Sequence, residues 1–434
     1  MNKKKLWKAI GPVICAMILV LVLLVSPLNY VKRYSKKELD TYAASQSLQV
    51  FLGTPIKSQA FANKKYLPIM GSSELSRFDS FHPSVIAKKY NRDYTPFLIG
   101  TAGTQSLTHY FYLNSIEKEM KNRKIVFIIS PQWFIRKYDR KTKTITRDGI
   151  DKYAFYQFVS SEDICKWALS ADPKLETTKV TAKRLLSFPS IDDSEFKRPI
   201  LESLANGQKP GGLTKAIMDV QFQIYSGEDR FYSKFSKPIV GRKFKKKERV
   251  LPNIYNAQLL KEIAEEEGKR ESRNNNFDIN NTFYNLKIRP KFSKLKGAFR
   301  RTSYLTSAEY TDFQLLLNEF AKLNDDVMFV IPPVNTKWTK YTGLRKDMLQ
   351  TFSKKITEQL RSQGFNNIVD YTDKGGVPYF LNDTIHIGKV GWITFDGDLQ
   401  NFLNRNDKHT YKINNKKYLT KEWAIDTYGY GKKK

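Results

Sequence analysis

The stretch "LPIMGSSELSRFDSFHPS", residues 67–84, contains the first strand of the predicted fold and the turn that follows it. A short apolar run ends at Gly71, and two serines come directly after it. A buried strand that ends at a catalytic nucleophile has this pattern, and so do many ordinary turns, because glycine and serine are common turn residues. The role of the serines therefore depends on the rest of the chain.

Apolar strands alternate with helical segments after this stretch, and the strands are apolar throughout, as in sheets covered on both faces. The predicted strands are 65–70, 95–100, 124–130, 326–333 and 366–373. The predicted helices are 83–90, 106–120, 307–323, 343–364 and 389–404. The alternation indicates an α/β fold, an open parallel sheet covered by helices, in which ligands bind beyond the carboxyl ends of the strands.

Residues 140–300 interrupt this alternation and predict a mainly helical insertion. The insertion contains two basic runs, "GRKFKKKER" (241–249) and "KIRPKFSKLKGAFRR" (287–301). The whole chain has 74 Lys and Arg against 43 Asp and Glu, a formal net charge of +31. This excess predicts a polyanionic partner or an anionic surface, and nucleic acid, acidic lipid and anionic wall polymers all satisfy it.

The N-terminus predicts an uncleaved membrane anchor. Four lysines among the first eight residues precede an uncharged apolar run from Ala9 to Leu28. A helix of this length covers the hydrocarbon core of about 30 Å, and no A-x-A cleavage site follows closely. We therefore predict a cytoplasmic N-terminus at 1–8, a transmembrane anchor at 9–29 and the rest of the chain outside the cell.

The remaining boundaries follow from composition. We predict a juxtamembrane stalk at 30–60, a catalytic domain at 61–405 and a basic C-terminal tail at 406–434. The two cysteines are not expected to pair or to bind metal, because Cys15 lies in the predicted anchor and Cys165 far from it. The chain has no helix-turn-helix or zinc pattern, so together with the anchor it does not predict a nucleic-acid partner.

One histidine has an acid at short spacing. The histidines of the chain are His82, His109, His386 and His409. Asp383 precedes His386 by three residues, and on a turn this offset places the carboxylate beside the ring. A serine nucleophile needs a base and the base needs an orienting group, so a serine after Gly71 would be activated by this pair. Asp-x-x-His also occurs by chance, and a structural role for each segment is the alternative.

Several motifs, taken in order, resemble those of the DltD family, and the resemblance runs from the predicted anchor to about residue 405. They are "GSSELSRFDSFHPS", "GTAGTQSL", "ISPQWF", "IPPVNTKW" and "FLNDTIHIG". The core of this family is similar to the SGNH (GDSL-type) hydrolases, whose serine follows the first strand and whose Asp-x-x-His lies near the C-terminus. The resemblance implies an SGNH-hydrolase-like, flavodoxin-like parallel sheet.

The resemblance also implies the residues of the triad. Ser73 matches the SGNH nucleophile, and Asp383 and His386 match its acid and base. Ser72 stands where SGNH enzymes have aspartate, so it is a second candidate for the reactive serine and for the oxyanion site.

The other residues of the site are assigned in the same way. Gly103 matches the glycine that donates its N–H to the oxyanion. Gln132 stands near the position of the usual asparagine, with the same carboxamide one methylene further out. Beside the serines, Glu74 is expected to have a structural role, as a helix cap or as the partner of Arg77.

The resemblance implies an extracellular acyltransferase that needs no cofactor and moves D-alanine onto lipoteichoic or wall teichoic acid through a D-alanyl-serine intermediate. Its implied partners are the teichoic acid polymer, the membrane O-acyltransferase and the small membrane peptide of the pathway, and the D-alanyl carrier protein. An anionic membrane surface is the alternative partner of the basic runs. Two alternatives stay open: a thioesterase or esterase with the same triad, and a non-catalytic scaffold that binds teichoic acid or the carrier.

Overall fold

A computed structural model of the chain describes residues 10–15, 17–19, 22, 31–139, 144–188, 194–237, 244–406 and 409–431. The predicted cytoplasmic N-terminus, most of the predicted anchor at 9–29 and the first three residues of the basic run 241–249 lie outside them. Within the described ranges, no helix is both long enough and apolar enough to cross a bilayer. The anchor therefore stays a prediction.

The described strands form one parallel sheet and one antiparallel pair. They are β1 Tyr66–Met70, β2 Thr95–Ile99, β3 Lys124–Ile128, β4 Lys137–Asp139, β5 Thr144–Arg147, β6 Asp326–Ile331 and β7 Ile368–Asp370. The sheet has the order β2-β1-β3-β6-β7 with every pair parallel, and β4 and β5 pair antiparallel. Counted along the sheet's own strands, this order is 2-1-3-4-5, as in flavodoxin-like folds. The α/β class and the parallel sheet are confirmed.

The sheet is buried on both faces, which is why its strands are apolar throughout. In β3, Ile125 and Phe127 belong to one hydrophobic cluster, the first core. Val126 and Ile128, which point to the opposite face, belong to a second cluster, the second core. Side chains alternate between the faces of a strand, so one continuous apolar run supplies both cores.

Helices cover both faces of the sheet. The α-helices are Lys36–Ala43, Leu48–Leu52, Thr54–Phe61, Pro83–Lys89, Ser106–Ser115, Glu117–Met120, Lys152–Phe158, Ser161–Ser170, Glu176–Leu186, Ser194–Ala205, Gly212–Phe235, Phe244–Glu248, Ala257–Glu271, Asn281–Phe283, Phe292–Leu295, Glu309–Leu323, Thr336–Thr342, Lys346–Arg361, Lys389–Asn404, Asn415–Tyr418 and Lys421–Ile425. Short 3₁₀ or π turns are Ser73–Ser76, Pro131–Phe134, Tyr284–Ile288, Arg289–Lys291 and Lys374–Gly376.

The inserted region is mainly helical and sends helices to both cores. Ile164 and Leu201 of the insertion lie in the first core, with the helices Ser106–Ser115 and Glu309–Leu323. Leu260, from the insertion helix Ala257–Glu271, lies in the second core with the helix Lys389–Asn404. The insertion is therefore part of the same packed unit as the sheet.

Two segments pack more tightly than their composition predicts. In the predicted stalk, Tyr42 and Phe51 are buried in the first core, each on a short helix. In the predicted tail, Tyr418 and Trp423 are buried in the same core. The structure thus differs from the sequence prediction here: both segments are integral parts of the described domain.

Candidate active site

The turn after β1 is built on a close approach between two glycines. A Cβ atom at Gly100 would lie 2.1 Å from the carbonyl oxygen of Gly71, so only glycine fits there. The same oxygen accepts hydrogen bonds from Thr104 Oγ1 and His109 Nε2, both at 2.8 Å. Since β1 lies where the strand order reverses, between β2 and β3, this turn sits in the crevice where doubly wound sheets bind ligands.

The two serines of the turn point in different directions. Ser73 begins a 3₁₀ turn, and its Oγ lies 2.7 Å from Nε2 of His386. Ser72 is buried and turned toward the backbone, where its Oγ accepts the N–H of Ser73 at 2.5 Å. The N–H of Ser72 in turn donates to Oε1 of Glu74 at 2.5 Å. Of the two serines, Ser73 is the one in contact with the histidine.

The histidine is held by the acid that the sequence pairs with it. Nδ1 of His386 lies 2.7 Å and 2.9 Å from the two carboxylate oxygens of Asp383. Oδ1 of Asp383 also accepts the backbone N–H groups of Ile385 and His386, both at 3.1 Å. The buried carboxylate thus orders the loop and favours the tautomer with hydrogen on Nδ1, which leaves Nε2 free to accept the Ser73 proton.

The loop that carries this pair closes on itself. Leu381 and Ile387 form an antiparallel bridge, and Asn382 N–H donates to the carbonyl of His386 at 2.8 Å. A Cβ atom on Gly388 would lie 2.5 Å from the nitrogen of Asn382, so the loop needs glycine there. The helix Lys389–Asn404 starts at the next residue and fixes the end of the loop.

Arg77 is a member of the site that the sequence analysis assigned elsewhere. Its Nη2 lies 2.9 Å from Oδ2 of Asp383, and its guanidinium lies over the ring of Phe283 at 5.6 Å. Burial opposes the charged form of Asp383, but His386 and Arg77 together hold the pKa of this carboxyl below its usual value. The predicted pairing of Arg77 with Glu74 is wrong.

Glu74 keeps a structural place instead. It is buried beneath the serine turn, where burial raises the pKa of its carboxyl. The sequence does contain a signal for the contact between Arg77 and Asp383. Arg77 follows Ser73 by four residues, so it lies at the rim to which Asp383 brings a negative charge. The hydrogen bonds from Thr104 and His109 to the carbonyl of Gly71 could not be predicted from the sequence. They depend on how the end of β1 packs against a helix that is more than 30 residues away in the chain.

The two expected oxyanion donors lie on the same rim of the sheet. Gly103 is exposed in the turn after β2 with φ +103°, a backbone conformation that favours glycine. Gln132 lies in the 3₁₀ turn after β3, and its Oε1 accepts the hydroxyl of Ser130 at 2.8 Å. Among the contacts of the described residues, none joins either residue to Ser73 or His386.

The first basic run of the insertion, and the segment just before the second, reach the residues that follow the nucleophile. The ring of Phe244, in the first run, lies 5.2 Å from Phe78, edge to face. Phe283, just before the second run, lies against Arg77. Two aromatic residues that are about 40 residues apart in the chain, Phe244 and Phe283, therefore contact the residues that follow Ser73.

The fold and the site together define a class: an α/β domain whose Ser, His and Asp side chains meet beyond the carboxyl edge of a parallel sheet. The chain belongs to the DltD family, as its motifs predicted, and the family model described as "DltD protein" matches residues 43–404.

Curated relatives agree with this membership over most of their length. The chain is 38% identical over 423 residues to Protein DltD of Lacticaseibacillus rhamnosus, covering 97% of this chain and 96% of that protein. It is 33% identical over 395 residues to Protein DltD of Bacillus subtilis (strain 168), covering 90% and 96%. With Protein DltD of Staphylococcus aureus (strain NCTC 8325 / PS 47) the identity is 28% over 367 residues, covering 83% and 87%.

Proposed function

We propose that the chain is an acyltransferase of teichoic acid D-alanylation, anchored in the membrane by residues 9–29 with its catalytic domain outside the cell. The observation that carries the proposal is the continuous hydrogen-bonded path from Ser73 through His386 to Asp383 in a member of the DltD family. The path has the geometry that general-base activation of a serine requires.

In the first step, Ser73 Oγ attacks the carbonyl carbon of an activated D-alanyl group while His386 Nε2 takes its proton. A C–O bond to serine forms, and the bond from the carbonyl carbon to the donor oxygen or sulfur breaks. The imidazolium then returns the proton to the leaving group. Asp383 stabilises that cation, and Arg77 keeps Asp383 charged and in place.

The developing oxyanion needs hydrogen-bond donors on the serine side. We assign this role to the N–H groups of Ser73 and Gly103 and to the carboxamide of Gln132. Ser72 Oγ accepts the Ser73 N–H in the free protein, so rotation of the Ser72 side chain accompanies oxyanion formation. Removing one such donor typically lowers the rate about 10²–10³-fold.

In the second step, a hydroxyl of the polymer attacks the D-alanyl-serine ester, and His386 takes the proton of that hydroxyl. Serine leaves with this proton, and the product is a D-alanyl ester of teichoic acid. The same chemistry with water as acceptor would be a hydrolase. As donors we propose the membrane O-acyltransferase and the small membrane peptide of the pathway.

The basic surface supports an anionic acceptor. The second run exposes Lys287, Arg289, Lys291 and Lys294 to solvent, and it begins four residues after Phe283, whose ring contacts Arg77. A polymer with one phosphate in each repeat would bind there through charge-assisted hydrogen bonds and the release of counterions. This binding would hold the acceptor hydroxyl next to the serine turn.

The test is the D-alanine ester content of teichoic acid in cells that carry Ser73→Ala, beside Ser72→Ala as the matched control. We expect ester content to fall to background with the first variant and to persist with the second. Wild-type ester content with Ser73→Ala would refute the catalytic role and favour the scaffold. A topology reporter at the C-terminus separates extracellular transfer from cytoplasmic thioester hydrolysis.

A further inference from the structure

An apolar groove, remote in the chain from the triad, lies between the segment after the predicted anchor and the end of an insertion helix. Its cavity has a volume of about 520 Å³, with walls that include Tyr34, Leu52 and Ile56. The rim consists of side chains that a soluble surface would normally bury. Leu48 is 42% exposed, and Tyr232 and Phe235 are each 69% exposed. Such a cluster of exposed apolar groups marks an interaction surface.

The position of the groove in the chain indicates what covers it. The apolar run of the predicted anchor ends at Leu28, and six further residues reach Tyr34, a span of at most about 20 Å. Tyr34 is fastened to the insertion helix, since its hydroxyl donates to the carbonyl of Ser233 at 3.2 Å. Lys32 Nζ likewise donates to the carbonyl of Ser236 at 3.3 Å. The groove therefore lies close to the point where the chain would leave the bilayer.

The charges around the groove fit an anionic lipid surface. Arg33 and Lys237 are exposed, and each is next in the chain to a residue that lines the groove, Tyr34 and Ser236. A cation near an anionic leaflet contributes about 1 kcal/mol to membrane binding, and aromatic side chains favour the interface. Among the described residues of the wall, Asp229 is the acid, and its Oδ2 accepts the N–H of Thr54 at 3.0 Å.

We infer that this groove is the face by which the domain lies on an anionic bilayer, with Tyr232 and Phe235 inserted at the boundary between headgroups and acyl chains. The inference rests on the proposed anchor and extracellular location. It also places the nucleophile turn near the membrane surface. Gln46, two residues before Leu48, donates from Nε2 to the carbonyl of Gly100 at 2.5 Å. Gly100 packs on Gly71, so the lipid-facing segment directly supports the nucleophile turn.

The test uses the full chain in nanodiscs that contain phosphatidylglycerol, with a Cys15→Ser background to remove the exposed thiol. An NBD fluorophore is attached to Phe235→Cys, and quenching by doxyl-labelled lipid is measured. The matched control is Ile254→Cys, because Ile254 is 82% exposed and follows Leu251 of the second core, on the opposite face of the sheet. Cys165 is buried and stays unlabelled.

We expect the label at 235 to be quenched about threefold more than the label at 254, with a blue-shifted emission. Equal, water-like emission at the two positions would overturn the inference. Protection at 235 that appears only after extracted membrane proteins are added would also overturn it, because the occupant would then be a protein. Resistance to carbonate extraction reports the anchor separately, and D-alanine ester content reports the reaction.

Discussion

Ser73 and His386 approach to 2.7 Å, yet the segments that carry them are held in different ways. The serine follows β1, whose backbone is paired on one side with β2 and on the other with β3. The histidine lies in a loop between β7 and the helix Lys389–Asn404, outside the sheet. The nucleophile is therefore positioned by the fit of backbones, with Gly71 and Gly100 in contact.

The base, by contrast, depends on one side chain. Asp383 accepts two backbone N–H groups of its own loop and also the ring N–H of His386. One carboxylate thus orders the loop and sets the tautomer of the ring. We therefore expect substitutions in the serine segment to reduce mainly the stability of the fold. Substitutions in the histidine loop should reduce mainly the rate of D-alanyl transfer.

The largest expected effect is on the histidine half. Asp383→Asn keeps an oxygen for the backbone N–H groups but cannot serve as the anionic partner of Nδ1–H. We expect the D-alanyl transfer rate to fall about 10³–10⁴-fold with little change in melting temperature. Asp373→Asn, at an exposed carboxylate in the preceding loop, is the control and should leave the rate unchanged. A near-normal rate for Asp383→Asn would contradict the proposal that this carboxylate orients and stabilises His386.

The next effect is on the serine half. Gly100→Ala would place a Cβ atom 2.1 Å from the oxygen of Gly71, and the backbone of β1 would have to shift. We expect the free energy of unfolding to fall by about 3 kcal/mol, measured by denaturant titration. Gly397→Ala is the matched control, since an added Cβ there meets no atom within 4 Å. Equal stability of the two variants would contradict the backbone account.

A smaller effect is expected at Arg77, which acts through Asp383. Arg77→Gln should slow transfer about tenfold, because the carboxylate loses a cationic partner at 2.9 Å. The loss should also raise the pKa of Asp383, because the guanidinium is one of the charges that hold it down. Arg77→Lys should restore part of the rate. Arg345→Gln, which removes an exposed arginine paired with Asp347, should change neither quantity.

The smallest effect is a pH dependence of stability from His109. Burial lowers the pKa of His109 to about 4, below its unfolded value of about 6.5. Neutral His109 therefore contributes fully to the free energy of unfolding above pH 6.5. This contribution is lost as the pH falls toward 4, by about 1 kcal/mol between pH 6 and 5. His109→Gln keeps a donor for the carbonyl of Gly71 without this titration. Unfolding curves of the two proteins should diverge over this interval, and parallel curves would exclude the effect.

Patterns within single segments predicted much of the fold and the core of the site. The strand predicted at 124–130 is Lys124–Ile128 in the structure. A short, uninterrupted apolar run next to a helical segment is compatible with few structures other than a buried strand. The contact between Asp383 and His386 was predicted because two side chains three residues apart on a turn have few possible relative positions. The serine was placed on the rim because it follows the first predicted strand, and the pair because it comes just before the last predicted helix.

Contacts between distant segments could not be predicted in this way. The partner of Arg77 depends on a loop about 300 residues away, and local sequence favoured Glu74 instead. The segment 30–60 and the tail 406–434 have polar compositions that suggest solvated chain. Aromatic residues of these segments, such as Phe51 and Trp423, pack into the first core, and this contact depends on the surface that the folded sheet offers.

Activation of Ser73 by His386 is tested most directly by treating the folded full chain with a fluorophosphonate and mapping the product by mass spectrometry. The account predicts a single adduct on Ser73, and its loss in His386→Ala. Absence of an adduct, an adduct on Ser72, or labelling of Ser73 that persists in His386→Ala would contradict it.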